Sequence, residues 1–417
     1  MTVIALPQLA WYGQKKLEVS LPDSWQVEIG NMDGYNRPAM KPAEIKAALA
    51  CPIGTAPIRE MARGKHEVVI IFDDMTRVTR VAEIIPFVLD ELAEAGIPDN
   101  KIRFVCALGC HGALTRLDFI KKLGEKIVAR FPVYSHNPFA KGTYVGKTRT
   151  FGTEVYINEE VMRCDFKIAI GSVVPHRMSG FGGGGKIILP GVASFESIES
   201  NHRKLIQAMT EQREKPVIGM GLFDHNPMRL DIEEAAILAG LDVLIDGIIN
   251  TWGETVALFA GALAPTYAAA IQAAKAQYLT PRLAGKDIVI ANTFAKASEG
   301  FIGVNIAYTA VNRSGGDIVL ITNAPEGQVT HYLMGSFGKT TAAPLRTPAR
   351  PPKFVNHLII YSEYPDLAGR GFFEDSEKVL YLSDWAAVRQ SLQEFHGDNA
   401  NVAVFPSAEL QYVAQAL

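Results

Sequence analysis

Residues 166–202 have the sequence FKIAIGSVVPHRMSGFGGGGKIILPGVASFESIESNH. The short apolar run at 166–171 predicts a buried strand, and residues 194–209 have the spacing of a helix with Ser194 as its N-cap. Between them, five of the six residues 180–185 are glycine. Glycine costs backbone entropy, so such a run is favoured where the backbone approaches a ligand or adopts a positive φ. A strand, a glycine loop and a helix in this order predict an α/β fold with a ligand site at the loop.

The same alternation of short apolar runs and helical stretches extends over the rest of the chain. The predicted strands lie at 68–72, 102–109, 166–171, 241–250, 288–292, 318–323, 357–362 and 402–405, with helices at 81–96, 194–209 and 265–278 and a small hairpin within residues 1–30. We therefore predict two α/β domains with mainly parallel sheets, residues 1–275 and residues 276–417, with the active site in the cleft between them. We expect the tail near 403–417 to pack back on the first domain, and the proline-rich, basic segment 338–353 to form a surface loop.

Composition excludes several classes of protein. The chain has 417 residues, 48% hydrophobic and 20% charged, with a net charge of −3, which is typical of a globular protein and not of a broad nucleic-acid surface. The four cysteines form no CxxC pair, which disfavours a zinc knuckle and indicates a reducing, cytoplasmic compartment. Residues 256–274 carry no charge but contain Pro265 and several polar side chains, so we predict a buried helix and no membrane span.

Polar residues follow three of the predicted strands. Asp73 and the segment Asp74-Met75-Thr76-Arg77 follow strand 68–72, Cys110-His111 follow strand 102–109, and His176-Arg177 come shortly after strand 166–171. A single one of these residues is as often a helix N-cap or a hydrogen-bonded loop residue. Open parallel sheets, however, bind ligands outside the carboxyl ends of their strands. The joint occurrence therefore indicates a site at this edge of the sheet.

The glycine run predicts a site for an anionic or phosphate-bearing ligand. Successive N–H groups in such a loop form an anion-binding nest, and a flexible linker is the alternative. Residues 180–186 match GxxxxGK, but Ile187 stands where a P-loop has Ser or Thr, which disfavours a nucleoside triphosphatase. His202 lies on the following helix, 16 residues after Lys186. One loop and helix can thus supply a lysine and a histidine to the same pocket.

Three segments together resemble a known family. VVPHRMSGFGGGGKIILPGVASFESIESNH (173–202), IIFDDMTR (70–77) and CALGCHGALT (106–115) resemble, in the same order, the motifs of the nickel-pincer-dependent lactate racemase family. The resemblance covers residues 40–270 well and the C-terminal domain only in layout. It implies a racemase or epimerase of 2-hydroxy acids that acts on a small-molecule substrate, with enzymes of cofactor biosynthesis as upstream partners.

The resemblance also implies roles for individual residues. Lys186 would carry the nickel-pincer nucleotide, Ni(II)-pyridinium-3,5-bisthiocarboxylic acid mononucleotide, through a thioamide link, and His202 would ligate the nickel. His111 and His176 would be the paired acid/base residues. Contacts to the cofactor would come from Asp74, Met75, Thr76, Arg77, Gly183, Gly184 and Gly185, and contacts to the substrate from Arg77, Arg177 and Lys296.

The chemistry of the residues agrees with these roles. Racemisation moves a proton in two mirror-related poses, and histidine both takes and returns a proton near neutral pH. The chain departs from the family pattern at Val78, where proline is expected, and at Gly112, where arginine is expected. With the additional cations Arg80 and Arg177, these departures predict a substrate larger or more anionic than lactate. A non-catalytic binding homologue remains an alternative, as does a nicotinamide-dependent dehydrogenase, although the latter would place GxGxxG directly after a strand.

Overall fold

The computed structural model describes residues 1–211, 217–335 and 348–414. Its strands are β1 Thr2–Gln8, β2 Lys15–Leu21, β3 Gln26–Ile29, β4 Val68–Asp73, β5 Ile102–Ala107, β6 Val133–Ser135, β7 Gly142–Lys147, β8 Glu154–Asn158, β9 Phe166–Ser172, β10 Pro175–His176, β11 Gly180–Phe181, β12 Val243–Ile249, β13 Thr255–Gly261, β14 Ile288–Asn292, β15 Gly316–Ile321, β16 Val355–Tyr361, β17 Val379–Leu382 and β18 Asn401–Phe405. Its helices are α1 Pro42–Ala50, α2 Ile58–Met61, α3 Val81–Glu94, α4 Arg116–Leu123, α5 Glu125–Arg130, α6 Glu159–Arg163, α7 Phe195–Glu211, α8 Pro227–Leu238, α9 Leu263–Tyr278, α10 Val304–Ala310 and α11 Trp385–His396.

The chain divides into two compact units. The large unit comprises Arg37–Asn250 and Glu254–Lys275, and the small unit comprises Met1–Asn36, Thr251–Gly253 and Ala276–Leu417. Both are α/β units built on a six-stranded sheet, which confirms the predicted fold class. Among the described residues, no helix has both the length and the apolar character needed to cross a membrane.

The sheet of the large unit has the strand order β13-β12-β9-β4-β5-β6. All its pairs are parallel except β12 with the edge strand β13. Strand β4 is buried along its whole length, as its apolar sequence predicts for a strand covered on both faces. From β4 the chain moves first to β5 and β6 on one side and later to β9 and β12 on the other. The carboxyl ends of β4 and β9 therefore form a topological switch point, where open α/β sheets bind ligands.

The sheet of the small unit has the order β17-β16-β15-β14-β18-β3 and is parallel throughout. The predicted hairpin is confirmed as the antiparallel pair β1 and β2. Its buried residues Leu6 and Val19 pack in one apolar cluster with Ile290 of β14 and Val388 of α11. The hairpin thus covers one face of this sheet.

The two units differ from the predicted domains at the N-terminus and at the tail. Residues 1–36 belong with the C-terminal sheet, because β3 pairs with β18 and closes its edge. Strand β18 lies inside the sheet, between β14 and β3, since its apolar residues are buried on both faces. The following tail stays in the same unit, where the Ala408 N–H bonds to the carbonyl of Asn292. Residues 415–417 lie outside the described residues.

The uncharged segment 256–274 is not one helix. It forms strand β13 and then helix α9, with the break at Gly261, whose φ is +143°. A strand buried in a sheet and a buried helix have equally apolar sequences, so composition did not separate them. Of the predicted loop 338–353, residues 338–347 lie outside the described residues, and Ala349 forms an isolated bridge with Phe373.

Candidate active site at the strand ends of the large unit

A buried lysine binds the end of β4 and the segment that follows it. The side chain of Lys122, from α4, is fully buried, and its Nζ lies 2.7 Å from Asp73 Oδ1. The same Nζ donates to the carbonyls of Asp74 at 3.0 Å and Arg77 at 2.7 Å. Burial raises the pKa of Asp73, while the charge of Lys122 opposes that rise. Lys122 therefore fixes the backbone of the 74–77 turn from inside the protein.

Asp74 orients His111. Its Oδ2 lies 2.5 Å from His111 Nδ1, and its Oδ1 accepts from the Thr76 N–H at 3.0 Å and from the Thr76 hydroxyl. Burial raises the pKa of Asp74, but the charge and hydrogen bond of His111, with the charge of Arg77, outweigh it and lower the pKa to about 2. An ionised Asp74 accepts the Nδ1 proton, so Nε2 is the basic nitrogen of neutral His111.

The other residues of this turn are partly enclosed. Met75 is buried, and Arg77 is half-buried with its guanidinium turned toward its own loop. Arg77 Nη1 donates to the hydroxyl of Thr76 at 2.7 Å and to its carbonyl at 3.0 Å. The turn thus brings Arg77 and the Asp74–His111 pair to one side of the switch point.

His176 and Lys186 are hydrogen-bonded to each other. His176 Nδ1 accepts from the N–H groups of Met178 at 3.2 Å and Ser179 at 3.1 Å, which places the proton of the neutral ring on Nε2. Nε2 lies 3.0 Å from Lys186 Nζ. The Lys186 amine, a potential nucleophile, therefore lies in direct contact with the imidazole of His176.

The glycine run does not form the predicted anion-binding nest. The N–H of Gly184 donates to Asp246 Oδ2 at 2.7 Å, and the N–H of Gly185 donates to Glu233 Oε1 at 3.2 Å. Carboxyl groups of the protein therefore occupy both donors. The nest prediction is wrong at these two amides because tertiary structure supplies their acceptors.

His202 is a neutral imidazole on α7. Its Nδ1 lies 2.8 Å from the carbonyl of Ile198, so Nδ1 carries the proton and Nε2 keeps its lone pair. Burial, with a smaller contribution from the charge of Lys186, lowers the pKa of His202 to about 4. A neutral ring whose other nitrogen is tied to a carbonyl is the usual state of a metal-ligating histidine. The described residues contain no group of three or more His, Cys, Asp or Glu suited to hold a metal.

The remaining predicted contacts lie in different environments. Arg177 is exposed, whereas Lys296 belongs to the small unit and is 1% exposed. Lys296 Nζ lies 2.9 Å from Glu299 Oε2, and burial raises the pKa of the neighbouring Glu409 to about 7. The structure therefore brings His111, His176, Lys186 and His202 into the large unit, while the contact of Lys296 with a substrate stays a prediction.

Five residues that contact the site segments were not predicted from the sequence: Lys122, Arg229, Glu233, Asp246 and Tyr267. One signal was available, since Asp246 is a charge inside the apolar run LDVLIDGIIN. Buried charges of this kind need a specific partner. The five residues lie at least 45 positions away in sequence from the backbone groups that they bind, so only the fold identifies them.

A cavity of about 180 Å³ lies in the small unit, at the carboxyl ends of β15, β16 and β17. Its walls include the stacked rings of Phe301 and Phe372 and the polar side chains of Thr322 and Ser362. It contains none of the predicted site residues, so it does not change the assignment of the site.

Fold and site together define a class: an α/β protein whose switch point carries an Asp–His pair, a His–Lys pair and a neutral histidine. Comparisons with known proteins narrow that class. The family model of the lactate racemase N-terminal domain matches residues 12–214. The lactate racemase of Thermoanaerobacterium thermosaccharolyticum is 32% identical over 254 residues, which are 60% of this chain and 58% of that protein. That of Lactiplantibacillus plantarum is 28% identical over 299 residues, 70% of this chain and 68% of that protein.

Two solved structures share the fold. The lactate racemase apoprotein from Thermoanaerobacterium thermosaccharolyticum superposes with a TM-score of 0.74 at 21% identity, covering 99% of this chain and all of that one. A Thermotoga maritima protein superposes with a TM-score of 0.66 at 18% identity, covering 92% of this chain and all of that one. Residues 12–214 thus match the lactate racemase N-terminal domain, and the chain is similar in sequence to two lactate racemases. The sequence match spans 58% of the length of the first relative, so the activity and substrate of this chain are proposals.

Proposed function

We propose that the chain is a nickel-dependent racemase or epimerase of 2-hydroxy acids. The observation that carries the proposal is the hydrogen bond of 3.0 Å between His176 Nε2 and Lys186 Nζ. This hydrogen bond links His176, a predicted acid/base residue, to Lys186, the predicted site of cofactor attachment. It also orients the Lys186 amine, which is the nucleophile that a covalent link to a cofactor requires.

The residues fit a nickel-pincer nucleotide. Lys186 offers an amine for the covalent link, and His202 offers the lone pair of Nε2, because its Nδ1 proton is bound by the carbonyl of Ile198 at 2.8 Å. Imidazole is a suitable ligand for Ni(II). When bound, the cofactor supplies an acceptor and donor of hydride for C2 of the substrate. The amide donors of Gly184 and Gly185 are already occupied, so we assign the nucleotide phosphate to other groups.

The chain itself moves the proton. His111 Nε2 takes the hydroxyl proton of one enantiomer, and Asp74 stabilises the imidazolium that forms. His176, whose neutral ring carries its proton on Nε2, would give a proton to the substrate oxygen in the mirror-related pose. The two histidines follow different strands of one sheet edge, β5 and β9, which suits access to a substrate from two directions.

The substrate is proposed to be larger or more anionic than lactate. Of the two additional cations, Arg80 and Arg177, Arg177 is the better candidate for the additional contact. Its side chain is exposed, whereas burial lowers the pKa of Arg80 and the neighbouring Glu83 and Glu254 face its charge. Arg77 would bind the carboxylate common to all 2-hydroxy acids. A panel of single enantiomers, from lactate to hydroxydicarboxylates, tests this. Turnover of lactate alone would contradict it.

The cofactor is tested by intact mass and nickel analysis of protein produced together with cofactor-biosynthesis enzymes. We expect a covalent adduct on Lys186 and about one nickel per chain, followed by racemisation in a chiral assay. Lys186→Ala removes the adduct and the nickel together. His202→Ala keeps the adduct but loses nickel, which separates attachment from coordination.

The same experiment distinguishes the alternatives. A loaded protein that racemises no 2-hydroxy acid indicates a binding homologue, and a chain that takes neither adduct nor nickel under conditions that load a known racemase contradicts the proposal. A nicotinamide-dependent dehydrogenase is disfavoured by the occupied amides of Gly184 and Gly185, which cannot receive a pyrophosphate.

A further inference from the structure

The space beside Gly183, Gly184 and Gly185 is filled by the protein. A Cβ at Gly183 would lie 2.9 Å from Asp246 Oδ2, and one at Gly184 would lie 2.8 Å from the ring of Tyr267. A Cβ at Gly185 would lie 2.9 Å from the carbonyl of Ile232 on α8. The run is therefore glycine because the surrounding structure approaches its backbone closely. A ligand is not needed to explain it.

Four side chains surround the run, and we call them the loop clamp: Arg229 and Glu233 of α8, Asp246 of β12 and Tyr267 of α9. Arg229 donates to the carbonyls of Phe181 and Gly183, and Tyr267 donates to the carbonyl of Gly182 at 3.0 Å. Glu233 and Asp246 accept the N–H groups of Gly185 and Gly184. Three consecutive carbonyls and two consecutive amides thus have fixed partners.

The side chains of the loop clamp also contact one another. Arg229 Nη1 lies 2.8 Å from Glu233 Oε1, and the Arg229 guanidinium lies 4.5 Å from the centre of the Tyr267 ring. The side chains of Arg229 and Tyr267 are almost fully buried. The loop therefore rests on a rigid base of side chains that bind both the loop and one another.

The clamped backbone leads directly into Lys186. Gly183 and Gly184 have φ values of +73° and +58°, and the next residues form a short 3-10 turn, Gly184–Ile187. The direction of the Lys186 side chain, whose Nζ meets His176 at 3.0 Å, follows from the orientation of these two peptides.

We propose that Glu233 and Asp246 are positioning residues for Lys186: by holding the amides of Gly185 and Gly184 they aim the lysine amine at His176 and at its electrophile. They touch neither reactant, so their effect passes through the loop. The inference rests on the proposed covalent role of Lys186, and it replaces ligand binding as the purpose of the glycine amides.

Charge is not what the amides require. Burial raises the pKa of Asp246 to about 7 and raises that of Glu233, and a protonated carboxyl still accepts an N–H through its carbonyl oxygen. Asn and Gln keep such an oxygen in nearly the same place. Asp246→Asn and Glu233→Gln should therefore preserve the position of Lys186, whereas Asp246→Ala and Glu233→Ala should not.

Hydrogen exchange in the cofactor-free full chain tests whether Asp246 and Glu233 hold the two glycine amides. We expect the Gly184 and Gly185 amides to be protected in the wild type and to exchange at least about tenfold faster in the Ala variants, because a buried N–H loses its acceptor. Glu234→Ala and Asp242→Ala are the matched controls. Glu234 lies on the same helix but binds the amides of residues 149 and 150, and Asp242 precedes β12 and binds the amide of residue 167.

The yield of covalent adduct tests whether these contacts position Lys186. It is measured by intact mass after production with the cofactor enzymes. We expect a fall of about tenfold in the two Ala variants, the size of effect that lost supporting contacts usually have. The Asn, Gln and control variants should load like the wild type. Thermal unfolding of each variant shows that it is folded.

Adduct yields in Glu233→Ala and Asp246→Ala within twofold of their controls would overturn the proposal, and so would failure of the Asn and Gln variants to restore loading. Should Asp246→Ala not fold, the comparison of Glu233→Ala with Glu234→Ala decides alone. A wild type that takes no adduct contradicts the proposed function, and the exchange result then decides on the clamp independently.

Discussion

The position of the proton on His111 is decided by one carboxylate. Asp74 is nearly fully buried, accepts from Thr76 and holds His111 Nδ1, so the basic Nε2 points away from the turn. The sequence predicted both residues as members of one site, since both follow strands. The contact between them, 37 positions apart, required the parallel pairing of β4 with β5.

Asp74→Asn should lower kcat for racemisation by about 10²- to 10⁴-fold, because the amide leaves His111 in the wrong tautomer and its imidazolium without a counter-charge. KM should change far less. The measurement is a chiral assay on fully loaded protein in both directions. Asp99→Asn, which removes only the exposed pair with Arg130, is the control. Equal kcat in both variants would argue against a role of Asp74.

Gly184 and Gly240 have similar backbone angles but different surroundings. Substituting each by alanine therefore distinguishes the cost of a left-handed backbone from the cost of overpacking. Gly184 has φ +58° and faces the Tyr267 ring, whereas Gly240 has φ +68° and no atom within 4 Å of the position that a Cβ would take. Gly240→Ala should cost about 1 kcal/mol of the free energy of unfolding, from the left-handed backbone alone. Gly184→Ala should cost roughly 1–3 kcal/mol more, from overpacking. Urea unfolding of both variants measures the difference, and equal losses would contradict the close approach.

Elements meet at the site through buried ion pairs. Lys122 of α4 holds the end of β4 through Asp73 and holds the next turn through two carbonyls. The helix was not predicted here, because its short sequence RLDFIKKL is polar and gives a weak apolar pattern. A lysine that is 1% exposed in such a helix has a structural reason, which only the sheet reveals.

Lys122→Met should lower the free energy of unfolding by about 3–5 kcal/mol, because it leaves Asp73 buried without its counter-charge. The double variant Lys122→Met/Asp73→Asn should recover a large part of this loss, since it removes both charges. Denaturant unfolding of the two single variants and the double variant forms the cycle. A double variant that is as unstable as the sum of the singles would contradict a direct pair.

At the level of elements, most of the sheet could be predicted. The confirmed strands are those with apolar, β-branched sequences, such as β4 and β14, which are buried along their whole length. Strand β3 was missed because its sequence QVEI is mostly exposed, and β13 was missed because it lies in an uncharged run that also fits a helix. Both are edge strands, but only β3 has the exposed sequence that solvent on one side favours.

The whole molecule carries buried acids whose ionisation opposes folding. Burial raises the pKa of Glu409 to about 7, against the charge of Lys296 and the amides of Phe294 and Ala295. The folded state therefore keeps a proton that the unfolded chain releases above its ordinary pKa of 4.5. Stability from this group is complete below that pH and is lost as the pH rises to 7. Asp246 acts in the same direction.

Glu409→Gln should flatten the fall in the free energy of unfolding between about pH 4.5 and 7, by up to about 3 kcal/mol, because glutamine keeps the acceptor and removes the titration. Unfolding in urea at several pH values measures this. Glu28→Gln, on an exposed residue paired with Lys286, should leave the slope unchanged. An unchanged slope in Glu409→Gln would mean that Glu409 is ionised in the folded protein.

The sequence by itself determined the α/β class, the central strands and the residues that follow them, because apolar periodicity and strand-end chemistry are local properties of the chain. Tertiary structure alone decided which groups the amides of the glycine run bind. Its amides could have held a phosphate as far as the sequence shows, but Glu233 and Asp246 arrive from α8 and β12 and take them. Tertiary structure also decided that residues 1–36 complete the C-terminal sheet. Strand pairing joins segments that are far apart in the chain, and it depends on which edge of the sheet is left open.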